Sequence, residues 1–398
     1  MRINFWVKSI LVLLTFNQCT EPIDPLTIGF DDLLVVEGLI TDQLDRQKVT
    51  LSRTIPLGLE DSTARMEVGA AVWMVDQDGQ RIDFVEEEEG VYLTQQPYAG
   101  SVGGTVQLFI ETMNENRYES DVVTMVATPP LDSIYAEFEP QPSVNNAQGG
   151  VFNFFIDARN NPGQNRYYRW TWNSTFELTV PHPSKWLWLG GNDVILREVG
   201  GENNDLQVQF CWNTETSTEI ILQELRTPST GITRLPITGF HSDSKRMRLG
   251  YSLEVKQYAL SGPSFDYWSA VAESTQDRGS LFDSQVGTIA GNIRNVNNDR
   301  EVVLGIFEAS QEVSIRRQYD PLDFNSVGFR RSGVNFIECP SVIPLVSEVD
   351  EIGKTMEERQ GSVILTFFIT QPPTAIYYPP RCADCTRYGD NQRPSFWE

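Results

Sequence analysis

Two cysteines near the end of the sequence, Cys382 and Cys385 in RCADCTRYGD, have spacing that could do chemistry. A C-x-x-C pair can exchange thiols, hold zinc, or act as a staple. A redox pair opens a helix after a strand. Here QPPTAIYYPP precedes the pair, and a tail carrying Gly389 and Pro394 follows, so no helix is expected to support it. Zinc needs further ligands, and the chain has two histidines, His182 and His241. Cys211 and Cys339 bring the cysteines beyond residue 19 to an even number, so two disulfides are expected. Four cysteines allow three pairings, and the sequence leaves the choice open.

The remaining candidates argue against catalysis. His182 (VPHPSKW) and His241 (GFHSDSK) sit in contexts that read as exposed loops, and no G-x-S-x-G elbow accompanies them. VDQDGQR places Asp76 and Asp78 as in a calcium loop, but it lacks a third oxygen ligand before its glycine and a glutamate at the twelfth position. It reads instead as a hairpin turn at Asp78-Gly79. The run Glu86 to Glu89 before Gly90 reads as a solvated turn. A sugar-hydrolysing carboxylate pair depends on separation in space, which a sequence does not give. PSKWLWLGG alternates Trp186 and Trp188 with two leucines. It is either a strand packing into the core or an aromatic loop that docks a partner or meets a membrane boundary. No enzyme activity, metal or cofactor is expected.

The compartment is read from the other end. Arg2 and Lys8 precede an apolar run, Ile10 to Phe16, too short for the ~20 residues a membrane span needs. That pattern is a secretory signal over residues 1–18. Cys19 directly follows it, and FNQC resembles the lipobox of bacterial lipoproteins, in looser form. The resemblance implies acylation of Cys19 and a lipid anchor, each buried methylene contributing about 0.8 kcal/mol. From position 19 on there are 54 acidic against 29 basic residues. Such a surface repels phosphate backbones and anionic headgroups, so nucleic acid is excluded and the anchor is the acyl group.

The elements that would position these residues are strands. Residues 19–32 form a Pro-bearing tether. KVTLSRT and TVQLFIET alternate apolar and polar positions, as half-buried antiparallel strands do. About seven such runs make a sandwich over residues 33–128, ending at ATPPLDS. The second part, 129–398, carries the long strand YRWTWNSTFELTV, with Tyr168, Trp170, Trp172, Phe176, Leu178 and Val180 on one face. VQFCW, EIILQEL, LGYSLEVKQYAL, EVVLGIFEAS and GSVILTFFIT follow as further strands, the last expected at a sheet centre. One helix is predicted over 261–278: Ser261 caps it, Pro263 sits in its first turn, and Gly279 stops it. The fold class is all-β.

The segment RLGYSLEVKQYALSGPSFDYWSAVAESTQDRGSLFDSQVGTIAGNIR carries specific motifs. Tyr251, Gln257, Tyr258, Tyr267, Trp268, Phe282, Asp283 and Asn292 lie in them. With VVEGLITD, the closing CADC…PSFW and Cys19, they resemble a domain-of-unknown-function family of Bacteroidota outer-membrane lipoproteins. Its members are typically encoded beside TonB-dependent transporters. The resemblance implies a transthyretin-like or immunoglobulin-like N-terminal sandwich and a non-enzymatic accessory lipoprotein. It would sit on the outer membrane, facing the cell surface, partnered by the transporter barrel. A free-standing cell-surface ligand or glycan binder, or adhesin, is the alternative. Asn295 departs from the pattern, since relatives often carry cysteine there, so no disulfide pairing is carried over.

Overall fold

The computed structural model describes residues 32–55, 65–141, 149–159, 165–184, 186–190, 193–196, 208–225, 231–276, 289–330, 339, 364–370 and 373–397. It is mostly β, with 52% strand and 11% helix. The first sheet begins with β1 (Leu34–Ile40), β2 (Lys48–Arg53), β3 (Arg65–Met66), β4 (Ala71–Asp76), β5 (Arg81–Glu88), β6 (Val91–Thr94), β7 (Thr105–Glu111), β8 (Arg117–Ser120) and β9 (Val123–Thr124). Alternation sorts their side chains: Val106, Leu108 and Ile110 of β7 are buried, as are Val49 and Leu51 of β2. The hairpin between β4 and β5 turns where Asp78-Gly79 predicts it. Gly79 has φ +76°, and the Asp76 carboxylate accepts from the Asp78 and Gln80 N–H groups at 3.0 and 2.9 Å. The acidic run differs from expectation: Glu86 to Glu88 are the exposed end of β5, and only Glu89-Gly90 form the turn.

The second body holds two more sheets. One is β10 (Leu131–Pro140), β11 (Gly150–Ala158) and β17 (Ile232–His241), in the order β10-β11-β17. The other runs β15 (Phe210–Thr216), β12 (Tyr167–Thr179), β18 (Tyr251–Leu260), β21 (Glu312–Tyr319), with β16 (Ile221–Glu224) also on β12. Phe152, Phe154, Tyr168, Trp170, Phe176, Tyr251 and Leu253 form the core between them. Phe154 meets Tyr251 at 5.0 Å between ring centroids and Phe240 at 5.5 Å. The helix α1 spans Gly262–Gln276, and the Ser261 hydroxyl accepts from the Ser264 N–H at 3.2 Å, as predicted for its cap.

Two strands depart from the expected order. β19 (Ile293–Asn295) and β20 (Leu304–Ala309) join the first sheet, not the second body. β19 pairs β8, and β20 lies parallel to β1, with Val36 opposite Gly305. The strand order β19-β8-β7-β4-β5-β6-β2-β1-β20 therefore begins and ends with neighbours in the chain, which meet at the Ala290–Leu304 bridge. The sheet wraps around one core that includes Leu34, Val36, Leu108, Ile293 and Phe307. The N-terminal unit is thus completed by residues well past 128. Close approach makes this possible. Gly305 has φ +90°, and a Cβ there would lie 1.9 Å from the Val36 carbonyl oxygen; one on Gly291 would lie 1.6 Å from the Gly305 oxygen.

GSVILTFFIT is also placed differently. Ile364–Thr370 (β22) pairs, among the described residues, only with Pro373–Tyr378 (β23). Trp186–Gly190 (β13) and Asp193–Leu196 (β14) form a second two-stranded ribbon, with β13 beside β22.

Candidate functional site

The cysteines resolve into Cys211–Cys385 and Cys339–Cys382. The two cysteines of the C-x-x-C pair bond outward rather than to each other. A four-residue helix, Pro380–Ala383, carries Cys382, and its chain accepts main-chain bonds from His182 N–H (3.0 Å, to Cys382) and Ser184 N–H (3.0 Å, to Ala383). The tail then runs over β15. Trp212 and Asp390 exchange main-chain bonds at 2.7 and 2.8 Å, and the Arg316 guanidinium lies 3.7 Å over the Phe396 ring. The C-x-x-C pair is therefore a fastening for the tail. His182 stacks on Tyr378 at 3.7 Å, and burial lowers its pKa. His241 is 3.2 Å from Asp243 at an exposed strand end. Among the described residues no group of three or more His, Cys, Asp or Glu could hold a metal. No described helix is long and apolar enough to cross a membrane.

Several of the motif residues, Tyr258, Trp268 and Gln257 among them, gather where the two bodies meet. Strand alternation buries Trp170 in the second core and turns its neighbour Arg169 outward, toward the first sheet. There Arg169 meets Glu308 of β20 in an ion pair whose side chains are 11% and 5% exposed. The guanidinium also lies 4.5 Å over the Trp268 ring and 5.3 Å over the Tyr258 ring. The Trp268 indole N–H points to both Glu308 oxygens at 3.3 and 3.4 Å. Arg169 Nε is buried and has no partner among the described residues. Tyr258 donates to Glu312 at 2.8 Å, and Lys256 pairs with the same carboxylate at 2.8 Å. Burial, and then Glu312, raise the Tyr258 pKa; burial, Glu37 and Glu308 push Tyr267 up to about 12. Gln257 links Trp170 (2.9 Å) to the Pro129 carbonyl (2.7 Å) between the bodies.

Asn292 has a structural task. Its amide donates to the Phe307 carbonyl (2.7 Å) and accepts from the Phe307 N–H (2.9 Å), so it pairs β20 as a strand would. Tyr251 is a core residue. Phe282, Asp283 and Cys19 lie outside the described residues. Trp186 and Trp188 lie in β13, with Leu196 and Val194 as cross-strand partners.

A cleft of about 690 Å³ opens between the two bodies above the Arg169–Glu308 pair. One wall is the outer face of β1 and β2, with Glu37, Leu39, Lys48 and Thr50. The other is the outer face of β12 and β18, with Thr171, Asn173 and Lys256. A second cavity of about 860 Å³ lies behind Glu308, lined by α1 and the Ile289–Asn292 segment. Sequence reasoning did not single out Arg169, Glu308, Lys48 or Glu37. The one available signal was Glu308 itself, a lone carboxylate in the apolar run VVLGIFEA.

The family model for a domain of unknown function, DUF4249, matches residues 20–316. The chain belongs to the DUF4249 family. Both cleft walls, from Glu37 to Glu312, fall within the matched DUF4249 span, whereas β22, β23 and the fastened tail lie beyond it. No curated protein matches the sequence. Among solved structures, the chain is similar to a DUF4785 family protein from Legionella pneumophila, with 10% identity over 57% of this chain and 52% of that one and a TM-score of 0.16. It is also similar to Salmonella alpha-2-macroglobulin reacted with methylamine, at 10% identity over 74% and 15% of the two chains, with a TM-score of 0.16. A biofilm associated protein B domain gives 8% identity over 71% and 85%, with a TM-score of 0.12. The DUF4249 chain thus spans about half the Legionella chain and a small part of the Salmonella one. At these TM-scores the likenesses carry no argument.

Proposed function

We propose that the protein is a non-enzymatic, lipid-anchored lipoprotein of the Bacteroidota outer membrane. Acylated Cys19 holds it at the cell surface, where it docks on the barrel of a TonB-dependent transporter and aids substrate capture or gating. The observation that carries the docking role is the pair of ribbons. β13–β14, with Trp186 and Trp188, lies beside β22–β23, and the Cys339–Cys382 bond and two main-chain bonds fasten this corner. Aromatic residues on a fixed frame supply contact area at low entropic cost. The segment 364–380 contains no charged residue in a chain rich in acids, which suits a desolvated contact. No nucleic acid and no cofactor enters this role.

The test is affinity purification of the tagged protein from outer membranes solubilised in mild detergent, with mass spectrometry of its N-terminus. A diacylglyceryl-modified Cys19 and a co-purifying barrel are expected. An unmodified N-terminus, or recovery of the protein alone, overturns the proposal. The cleft between the bodies favours a second reading, a free-standing surface ligand or glycan binder. Saturable ligand binding with no barrel in the outer-membrane complex would select it.

A further inference from the structure

The cleft between the two bodies has a charge pattern that selects among ligands. Most ionic groups around it are already matched: Arg169 with Glu308, Lys256 with Glu312, and Arg46 with Glu87 at 2.6 Å. Asp45 accepts from the Arg46 N–H at 2.7 Å. Two charges remain. Lys48 and Glu37 are exposed and make no ion pair or hydrogen bond through their side chains among the described residues.

Their placement follows from register. Glu37 is opposite Thr50, and Lys48 is opposite Leu39. They are therefore diagonal neighbours on one sheet face, about 7–8 Å apart across the two strands. That face forms one wall of the cleft. The opposing wall carries the Thr171 hydroxyl and the Asn173 amide, whose nitrogen donates to Glu254 at 3.3 Å.

We propose that the cleft binds a small zwitterion, a free amino acid or a short peptide, with its carboxylate at Lys48 and its ammonium at Glu37. The cleft volume of about 690 Å³ lies within the range of small-molecule sites. A net-neutral ligand with separated charges suits a wall carrying one unmatched charge of each sign, in a chain whose overall excess of acid repels simple anions. A saccharide fits less well. Sugar sites present an open aromatic face, whereas the indole here already carries the Arg169 guanidinium, and its N–H is directed to Glu308. The inference goes beyond the docking role and does not rest on it, since every group belongs to this chain.

Isothermal titration of the full chain in mild detergent tests it. The probes are trialanine, trialanine acetylated and amidated at its ends, and maltotriose. Trialanine is expected to bind, and capping both ends is expected to abolish the heat. Lys48→Met and Glu37→Gln should each weaken trialanine binding about tenfold. Both positions are exposed, so an unchanged melting temperature confirms folding. Equal binding of capped and free peptide overturns the inference. So does binding of maltotriose alone, wild-type affinity in both variants, or no saturation by trialanine up to about 10 mM. Failure to recover a barrel partner leaves these outcomes unchanged, so the two proposals fail separately.

Discussion

Consider removal of one partner from the Arg169–Glu308 pair. Arg169 stands on β12 of the second body and Glu308 on β20 of the first, so the pair crosses the junction. With 11% and 5% side-chain exposure, both groups are largely withdrawn from water at the floor of the cleft, so loss of either partner leaves a poorly solvated charge. Among the described residues, Arg169→Met leaves Glu308 with the long contact to the Trp268 N–H, 3.3 Å at best. Truncating one member of such a buried pair costs about 3–5 kcal/mol, mostly the penalty of a stranded charge. Glu308→Leu strands the guanidinium similarly; its two aromatic neighbours contribute roughly 0.5–2 kcal/mol each in compensation. The double variant Arg169→Met/Glu308→Leu removes both charges and fills the site with apolar atoms. It is expected within about 1 kcal/mol of wild type, because replacing a buried pair by well-packed apolar groups is often neutral. Urea unfolding followed by tryptophan fluorescence measures all four proteins. The coupling energy should exceed about 3 kcal/mol. Additive single losses would refute the reasoning, showing that the pair is solvated and the junction open.

Four further outcomes follow from the same geometry. Gly305→Ala forces a Cβ within 1.9 Å of the Val36 oxygen at a φ of +90°, so soluble yield should collapse, whereas Gly103→Ala, at φ +80° with open space around it, should leave a folded protein. Asn292→Ala strands the Phe307 N–H and C=O and should cost about 1–3 kcal/mol per group left unpaired, with faster amide exchange confined to β20 and β1. Cys385→Ser opens the loop closed to Cys211, 174 residues back, and should cost about 2–5 kcal/mol in urea unfolding while making the tail sensitive to carboxypeptidase. His182 has a lowered folded pKa, so its contribution is complete above the unfolded value near 6.5 and is lost as pH falls from there toward the folded value; amide exchange around Ser184 should speed up over that window, and His182→Phe should remove the dependence.

Legibility in the sequence followed locality. β12 was readable in full because period-two alternation over thirteen residues sorts Trp170 from Arg169 with no knowledge of the neighbours. The helix was readable because Ser261 and Pro263 announce its start. The hairpin at Gly79 carries its own turn chemistry. β20 was not assignable, because LGIFEA is a competent strand anywhere, and its partner β1 lies some 270 residues away. What decides its place is the pair Gly291 and Gly305, whose missing side chains matter only once the two backbones touch. β22 was misassigned to a sheet centre for the related reason that an unbroken apolar run reports burial or contact without naming the surface that provides it.

The same distinction explains the candidate site. Each cleft residue reads alone as an ordinary polar position on the outer face of a strand: Glu37 on β1, Lys48 on β2, Thr171 on β12. They become one site because β19 and β20, inserted between β18 and β21 of the second body, join the first sheet and bring Glu308 against Arg169. The motif positions follow that crossing. Asn292 clasps β20, Trp268 and Tyr258 stack on the guanidinium, and Gln257 bridges the bodies. A motif with four members, Asn292, Trp268, Tyr258 and Gln257, at one junction argues that the relative placement of the two sheet faces is something this sequence specifies strongly. If that placement has a use, it is the cleft it creates, where Lys48 and Glu37 on the β1–β2 face have no ion-pair or hydrogen-bond partner among the described residues.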